Sequence, residues 1–443
     1  MATDSTGSSD ANNSTAAVPK GRFGWDVSDK VAPELAKTGD VWSVFSPLAG
    51  HVPKDSLNLG QGFMNWAPPQ FIQDAHTAAL QEVAPNHYQL PRGSGRLRNA
   101  LSKYLSPSFN LGRDLDPNTE IQVTAGANEG MYAFATAFIC PGDEVIIFEP
   151  FFDQYVPQIT FNGGVPVFVP IRAPEAASTS NVQASEWKID IDELKKAITP
   201  KTKMIWNPIG KVFDEDELRA IGKIAEENDL IIVSDEVYDC LTFGVEHKRI
   251  AALDDFWKRT VTIGSAGKSF AATGWRTGWA VGPPNLIQPL MAAHTRIVFC
   301  VNGPAQEAVA VGIEKSLENG FFAKQVEEYD ERKKVLLEGL DKLGLPYTVP
   351  QGAYFVLVNT SRLDIPADFE IPEIIEGRAR DWVVAWFVAQ KAKVVLIPPT
   401  DFYSKPHWGL GENWIRVAFC KDTDTLRQAG ERLQALKPYI RDA

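Results

Sequence analysis

Between about residues 71 and 315, short apolar runs alternate with longer segments whose apolar positions recur every three or four residues. The runs "IQVTAG", "EVIIFEP", "TKMIW", "LIIVSDEVY" and "TVTIGSAGK" are too short for helices and rich in β-branched residues. They read as strands of the kind buried on both faces of a sheet. "ANEGMYAFATAFI" and "DEDELRAIGKIAEEN" carry the helical period, and the second opens on acids that suit a helix N-terminus. Strand–helix alternation predicts an α/β fold, a mostly parallel sheet covered by helices on both faces. Ligands of such sheets bind beyond the carboxyl ends of the strands.

The pattern changes after about residue 320. A long charged helix, "KQVEEYDERKKVLLEGLDKL", leads to "YTVPQGAYFVLVN", and more helix and strand run to "WIRVAFCKD" and a last helix. This predicts a second, smaller α+β domain. The expected division is a disordered tail over 1–22, an N-terminal arm and part of the small domain over 23–70, a large domain over 71–318 and a small C-terminal domain over 319–443.

With 443 residues, 44% hydrophobic and 23% charged, the chain has the composition of a soluble protein with a large core. Its net charge of -12 argues against nucleic acid or an anionic membrane as the main partner. Cys140, Cys240, Cys300 and Cys420 form no CxxC pattern and the histidines no HExxH, so reduced thiols and no metal site are expected. The first residues, "MATDSTGSSDANNSTAAVP", lack the apolar core of a secretory signal and the arginines of a mitochondrial presequence. A cytoplasmic protein is expected, with a mitochondrial form as the alternative.

Lys268 lies among small residues in "SAGKSF", directly after an apolar strand. A phosphate loop would need a glycine five residues before Gly267, where the chain has Thr262. A solvated surface charge and an amine nucleophile for carbonyl chemistry remain.

Other signals are individually ordinary. "TAGANEGMYAF" is a tight turn or an anion site at a helix N-terminus. Phe151 and Phe152 in "EPFFDQY" are core residues, or one of them stacks on a flat ring. Asn207 in "NPIGKVF" is part of a turn or a donor to a phenolate-type oxygen. Asp235 in "SDEVY" is a helix cap or a buried carboxylate seeking a cation such as a protonated ring nitrogen, with Tyr238 nearby. Arg276 could hold phosphate, and Arg416, within an apolar strand, forms an internal ion pair or grips a carboxylate bidentately. Taken together, these are the needs of one ligand, pyridoxal phosphate carrying an amino acid.

From about residue 25 onward the chain resembles the class I, fold-type I pyridoxal-phosphate aminotransferases. The resemblance rests on "NLGQGF", "HYQLPRGSGRLRNAL", "GDEVIIFEPFFDQY", "NPIGKVF", "SDEVY", "SAGKSFAATGWRTGW" and "IRVAF", in that order. Within that family it is most similar to the kynurenine aminotransferases, also called glutamine transaminase K or cysteine-conjugate β-lyase. The resemblance implies a seven-stranded-type sheet, a homodimer with shared sites and pyridoxal 5'-phosphate as cofactor.

It also implies roles. Lys268 takes the cofactor's aldehyde and then shuttles the substrate's proton. Asp235 pairs with the ring nitrogen, Phe152 stacks on the ring, and Asn207 and Tyr238 hold the ring oxygen. The backbone amides of Ala127 and Asn128, with Ser265 and Arg276, bind phosphate, joined by Tyr88 from the other subunit. Arg416 grips the substrate carboxylate, helped by the backbone at Gly62, while Trp42 and Phe299 face the substrate side chain.

The implied reaction is ping-pong transamination of an aromatic or glutamine-like L-amino acid, L-kynurenine to kynurenic acid being favoured, with a 2-oxo acid such as 2-oxoglutarate. β-Elimination from cysteine conjugates at the same site is the alternative. A regulator that keeps such a domain as a sensor would need a DNA-binding module ahead of it, for which about 25 residues are too few.

The chain departs from the family at one loop. Where relatives read "NTPHNPTGK", it reads "MIWNPIGK", about four residues short before Asn207, with Ile209 in place of Thr. A buried strand feeding a cofactor loop tolerates deletion badly, because residue direction flips with register. The expectation this raises is a differently closed loop that loses a contact to the substrate carboxylate, and a splice-like or impaired variant. "GFMNWAPPQ" also differs from the usual "GFPDFPPP" and places Trp66 near the entrance.

Overall fold

The structure, a computed structural model, describes residues 27–31, 39–46, 50–207 and 211–442. The tail expected over 1–22 lies outside them. Val41–Ala443 forms one compact unit; of the preceding unit, Met1–Asp40, the described residues include a turn in which Val31 N–H donates to the Ser28 carbonyl over 2.9 Å.

The unit is built on one sheet with strands β1 (Ile121–Thr124), β2 (Glu144–Glu149), β3 (Val165–Arg172), β4 (Lys188–Ile189), β5 (Thr202–Asn207), β6 (Ile231–Asp235), β7 (Thr260–Ser265) and β8 (Gly278–Val281). Their spatial order is β1-β8-β7-β6-β5-β2-β3-β4. The pairs β2/β3, β2/β5, β5/β6 and β6/β7 are parallel. Strand β8 runs antiparallel to both neighbours. Its connection from β7 holds only helical turns at Ala266–Ser269 and Thr273–Trp275, not the long helix a parallel crossover needs. The expected seven-stranded sheet is present, with one addition, the two-residue β4 paired antiparallel to the end of β3.

Buried strand residues alternate between two packed faces, as the two-residue period of a strand requires. Ile146, Phe148, Ile205 and Ile232 meet Leu218, Ile221 and Ile224 of helix α2 (Glu215–Glu227). Val145, Ile147, Met204, Trp206 and Val233 meet Met131 and Phe134 of α1 (Ala127–Phe138) and Leu286, Ile287 and Leu290 of α3 (Pro284–Ile297). Helix α2 starts at a capping box: the Asp214 carboxylate accepts from Glu217 N–H at 2.8 Å and the Glu217 carboxylate from Asp214 N–H at 3.1 Å. The acidic start read from the sequence is thus a reciprocal cap.

A further core gathers both ends of the unit. Val41, Val44, Phe45, Leu59 and Met64 pack with Tyr329, Leu336, Trp382, Phe387, Val395 and Ile415, and the cluster continues into Val237, Tyr238 and Leu241 beyond β6. Strand β9 (Phe355–Asn359) pairs antiparallel with β10 (Trp414–Ala418), and Leu57–Asn58 pairs in parallel with Val394–Val395.

The strand before the shortened loop stays in register with β6. From Met204 to Asn207, β5 stays paired residue for residue with β6, ending with Asn207 opposite Ser234. Toward β6 the strand has not slipped; toward β2 the register shifts by one residue at its start, with Thr202 opposite Glu144 and Met204 opposite Val145. Asn207 closes β5, and its side chain lies outside the described residues.

Candidate active site

Strands β6 and β7 end at Asp235 and Ser265, and Lys268 follows on the next helical turn. These carboxyl ends face β9 and β10 and the segments around Trp42 and Gly62, enclosing a cavity of about 360 Å³. Of the expected cofactor residues, Ala127, Asn128, Phe152, Asp235, Tyr238, Ser265, Lys268 and Arg276 line it. So do Trp42, Gly62 and Arg416, expected on the substrate side.

Lys268 Nζ donates to the Gly62 carbonyl at 3.1 Å and to the Tyr354 hydroxyl at 2.9 Å. Tyr354 donates in turn to the same carbonyl at 2.7 Å. Burial pushes the amine down to about 8. A free-amine fraction is thereby available near neutral pH, which proton abstraction and carbonyl attack both require.

Asp235 is buried at the end of β6, and burial lifts its carboxyl to about 6. Oδ2 accepts a hydrogen bond from the Tyr155 hydroxyl at 2.7 Å, which pulls the other way. The Tyr155 ring stacks on Trp206, with centroids 5.1 Å apart and planes at 14°. Buried tyrosine stays protonated, so it serves as a fixed donor. A buried carboxylate facing a cavity is stabilised by a cation placed there.

The opposite corner is cationic. Ala127 and Asn128 open α1, so their N–H groups belong to the four without intrahelical partners. Gly126 precedes them at φ 83°, and a Cβ there would lie 2.6 Å from Arg276 Nη2. Arg276 itself has φ 52° and donates to the Thr273 carbonyl at 2.9 Å. Gln158 Nε2 secures Asn128 through its side-chain oxygen at 2.7 Å and its carbonyl at 3.1 Å. Free amides, a helix N-terminus and a guanidinium with no room for a Cβ between them are suited to an anion such as phosphate. That corner, the buried Asp235 and the amine of Lys268 together fit a phosphorylated pyridine aldehyde.

Arg416 projects from β10 among Phe355, Phe402 and Trp42, its guanidinium carbon 4.3, 4.5 and 5.5 Å from their ring centroids. Nη2 donates to the Gly60 carbonyl at 3.3 Å, while Nε is buried without a partner. Burial pulls its pKa down to about 10. A guanidinium so placed awaits an anion.

Two expected residues are not in the cavity wall. Tyr88 and Phe299 are 88% and 49% exposed and meet edge to face, centroids 5.5 Å apart. Conversely, Tyr155, Tyr354, Phe355 and Phe402 shape the site and were not singled out from the sequence. Tyr155 closes "EPFFDQY" and Tyr354 sits in "QGAYF", but the contacts that matter span 80 and 86 residues. Ile171, Trp187, Lys211 and Thr348 also line the cavity.

The chain matches the family model described as aminotransferase class I and II over residues 54–433. It is 43% identical over 415 residues to the Saccharomyces cerevisiae protein named "Probable kynurenine--oxoglutarate transaminase BNA3", covering 90% of this chain and 93% of that one. The kynurenine–oxoglutarate transaminase of Dictyostelium discoideum is 40% identical over 412 residues, 90% and 94% of the two chains. Among solved structures, Bna3p from Saccharomyces cerevisiae superposes with a TM-score of 0.90 at 42% identity, over 94% of this chain and 100% of that one.

Proposed function

The chain belongs to the class I and II aminotransferases, and from that premise we propose that it moves the amino group of L-kynurenine to 2-oxoglutarate with pyridoxal phosphate as cofactor. The observation that carries this reading is the presence, in the wall of one cavity, of the buried Lys268 amine and an Arg416 guanidinium whose Nε lacks a partner. Relatives that share most of the chain's length carry the substrate names.

When bound, pyridoxal phosphate supplies an aldehyde for amines and a ring that withdraws electrons from the substrate Cα. The chain's own residues do the rest. Asp235, fixed by Tyr155, keeps the proton on the ring nitrogen. Phe152 covers the ring and Tyr238 holds its oxygen; the same role expected of Asn207 falls on a side chain outside the described residues. The amides of Ala127 and Asn128, with Ser265 and Arg276, hold the phosphate. Arg416 binds the α-carboxylate and so orients the Cα–H toward Lys268, which accepts that proton as a free amine and would deliver it to the former aldehyde carbon of the cofactor. Trp42, Phe355 and Phe402 exclude water and offer flat surfaces to an aromatic side chain. The 2-oxo acid, also a carboxylate, enters the same arginine in the second half of a ping-pong cycle.

A homodimer completes this reading. Leu80, Val83, Tyr88, Leu90 and Phe299 are exposed apolar or aromatic residues 49–88% accessible, on neighbouring segments. A second copy would cover them and would bring Tyr88 to the phosphate and Phe299 to the substrate side chain of the other site.

The test is the visible spectrum of the purified protein, before and after L-kynurenine without any oxo acid. Bleaching of the cofactor band, with kynurenic acid appearing once 2-oxoglutarate is added, is expected. A band that kynurenine leaves untouched removes kynurenine as the donor. Pyruvate and ammonia from a cysteine conjugate, without transamination, would assign β-elimination instead.

A further inference from the structure

Four consecutive backbone carbonyls, from Gly60 to Phe63, are each met by a cation. Gly60 O accepts from Arg416 at 3.3 Å and Gly62 O from Lys268 at 3.1 Å. Gln61 O accepts from Lys421 at 3.2 Å, and Phe63 O from the same Lys421 amine. The segment bends at Gly60 and Gln61, whose N–H groups both donate to the Asn58 side-chain oxygen at 3.1 Å. The even-numbered carbonyls meet Arg416 and Lys268, which line the cavity, and the odd-numbered ones meet Lys421, which does not.

Lys421 is 2% exposed and does not line the cavity. Among the described residues no carboxylate lies within ion-pair distance of it. Its compensation is the two carbonyls and the Phe63 ring, whose centroid lies 3.8 Å from Nζ. A lysine buried this far without a counter-ion is costly, so the segment it grips is held with purpose.

Its neighbours fasten the same segment. Ala418 N–H donates to Leu59 O at 2.7 Å, and Asp422 N–H to the Asn65 side chain at 2.8 Å. The site-facing side has no slack either: a Cβ on Gly62 would fall 2.8 Å from the Phe355 ring, and one on Gly60 2.8 Å from Ile397.

We infer that Lys421 is a positioning residue for carboxylate recognition: by gripping the carbonyls of Gln61 and Phe63 it turns those of Gly60 and Gly62 inward, and so sets Arg416 relative to Lys268. The inference rests on the assignment of Arg416 to the substrate carboxylate. It gives a buried amine outside the cavity a role in binding both the amino acid and the 2-oxo acid, since both present a carboxylate to the same arginine.

The experiment compares wild type, Lys421→Met and Lys421→Arg in full two-substrate kinetics. KM for kynurenine and for 2-oxoglutarate should both rise about tenfold in Lys421→Met, with kcat within about threefold of wild type, the loss expected of a charge-assisted hydrogen bond made equally in ground and transition states. Lys421→Arg, which keeps the charge and the donors, should recover most of the affinity. Hydrogen exchange on the cofactor-free protein should show faster exchange at residues 59–65 in Lys421→Met.

Unchanged KM values in a folded Lys421→Met overturn the inference, whatever the exchange shows, and so does a fall confined to kcat. Should Lys421→Met not fold, Lys421→Gln gives the same comparison, with the same rise or its absence deciding. A wild-type protein that transaminates no carboxylate substrate sinks the assignment of function itself; an active wild type matched by Lys421→Met sinks this inference alone.

Discussion

The Tyr155 hydroxyl donates to Asp235 Oδ2 over 2.7 Å from within a ring stack on Trp206. Burial pushes the Asp235 carboxyl up, and this hydrogen bond pulls it down. Tyr155→Phe removes only the downward pull, so Asp235 should protonate at higher pH and hold a ring cation less well. A hydrogen bond to a charged group contributes about 1.5–3 kcal/mol, so kcat should fall by roughly tenfold or more and the acid limb of the pH–rate profile should move upward. Steady-state rates across pH in wild type and variant measure both.

Capture of cofactor by the cofactor-free protein should report the two perturbed groups. Lys268 attacks an aldehyde only as a free amine, so the rate should climb as pH rises through about 8 and level off above it; an ordinary lysine would continue to about 10.4. Affinity should weaken as pH falls through about 6, where Asp235 loses its charge. Stopped-flow absorbance over this range measures the first and equilibrium titration the second. The sign for stability follows from the same shift. The folded pKa of Lys268 lies below its unfolded value, so the buried ammonium destabilises the empty protein below about pH 8, and the penalty fades as pH rises toward the unfolded value. At pH 7 cofactor-free Lys268→Ala should melt no lower than wild type while being inactive.

Arg416→Ala should lower kcat/KM for both substrates by roughly a hundredfold or more, the range for deleting one partner of a buried charge pair. Arg416→Lys should restore little, because a point charge cannot reproduce the fork. The empty protein should lose little stability, because burial penalises the charge there and this offsets the loss of the Gly60 hydrogen bond and the ring contacts. Initial rates and thermal melts settle the two halves.

Gly126→Ala places a Cβ at a backbone φ of 83° and 2.6 Å from Arg276 Nη2. Strain of about 1–3 kcal/mol, together with a displaced guanidinium, should raise the cofactor dissociation constant by about tenfold or more. Titration of the empty variant with pyridoxal phosphate checks this, and non-phosphorylated pyridoxal, which brings no phosphate to that guanidinium, should be much less affected.

If Tyr88 serves the phosphate of a second copy, two inactive or weakened variants should rescue each other. A heterodimer of Lys268→Ala and Tyr88→Ala contains one site with both residues intact. Refolding the two together should give more activity than the sum of the separate preparations. Activity equal to that sum would place Tyr88 within its own chain's site, or outside any.

The elements were legible because each announces itself locally. The strands β2, β5, β6 and β7 are continuous apolar runs, and the polar residues at their ends, Asp235 and Ser265, stand where a parallel sheet binds ligands. The antiparallel β8 was not legible, because strand direction depends on what its connection can span. Nor was the pairing of the strand before the shortened loop: a missing segment before Asn207 suggested a slipped strand, and β5 stays in step with β6 while its start is offset by one residue against β2.

The sequence by itself determined the layered α/β scaffold, the place of Lys268 just beyond an apolar strand and the set of groups that suits a phosphorylated pyridine. It could do so because strand periodicity and isolated charges in apolar runs are local properties of a chain. Only the tertiary structure decided what each charge meets. Tyr155 reaches Asp235, Tyr354 reaches Lys268, and three cations from distant parts of the chain converge on the carbonyls of residues 60–63. Backbone carbonyls carry no side-chain signature, and which side a segment turns toward a site is set by what packs behind it.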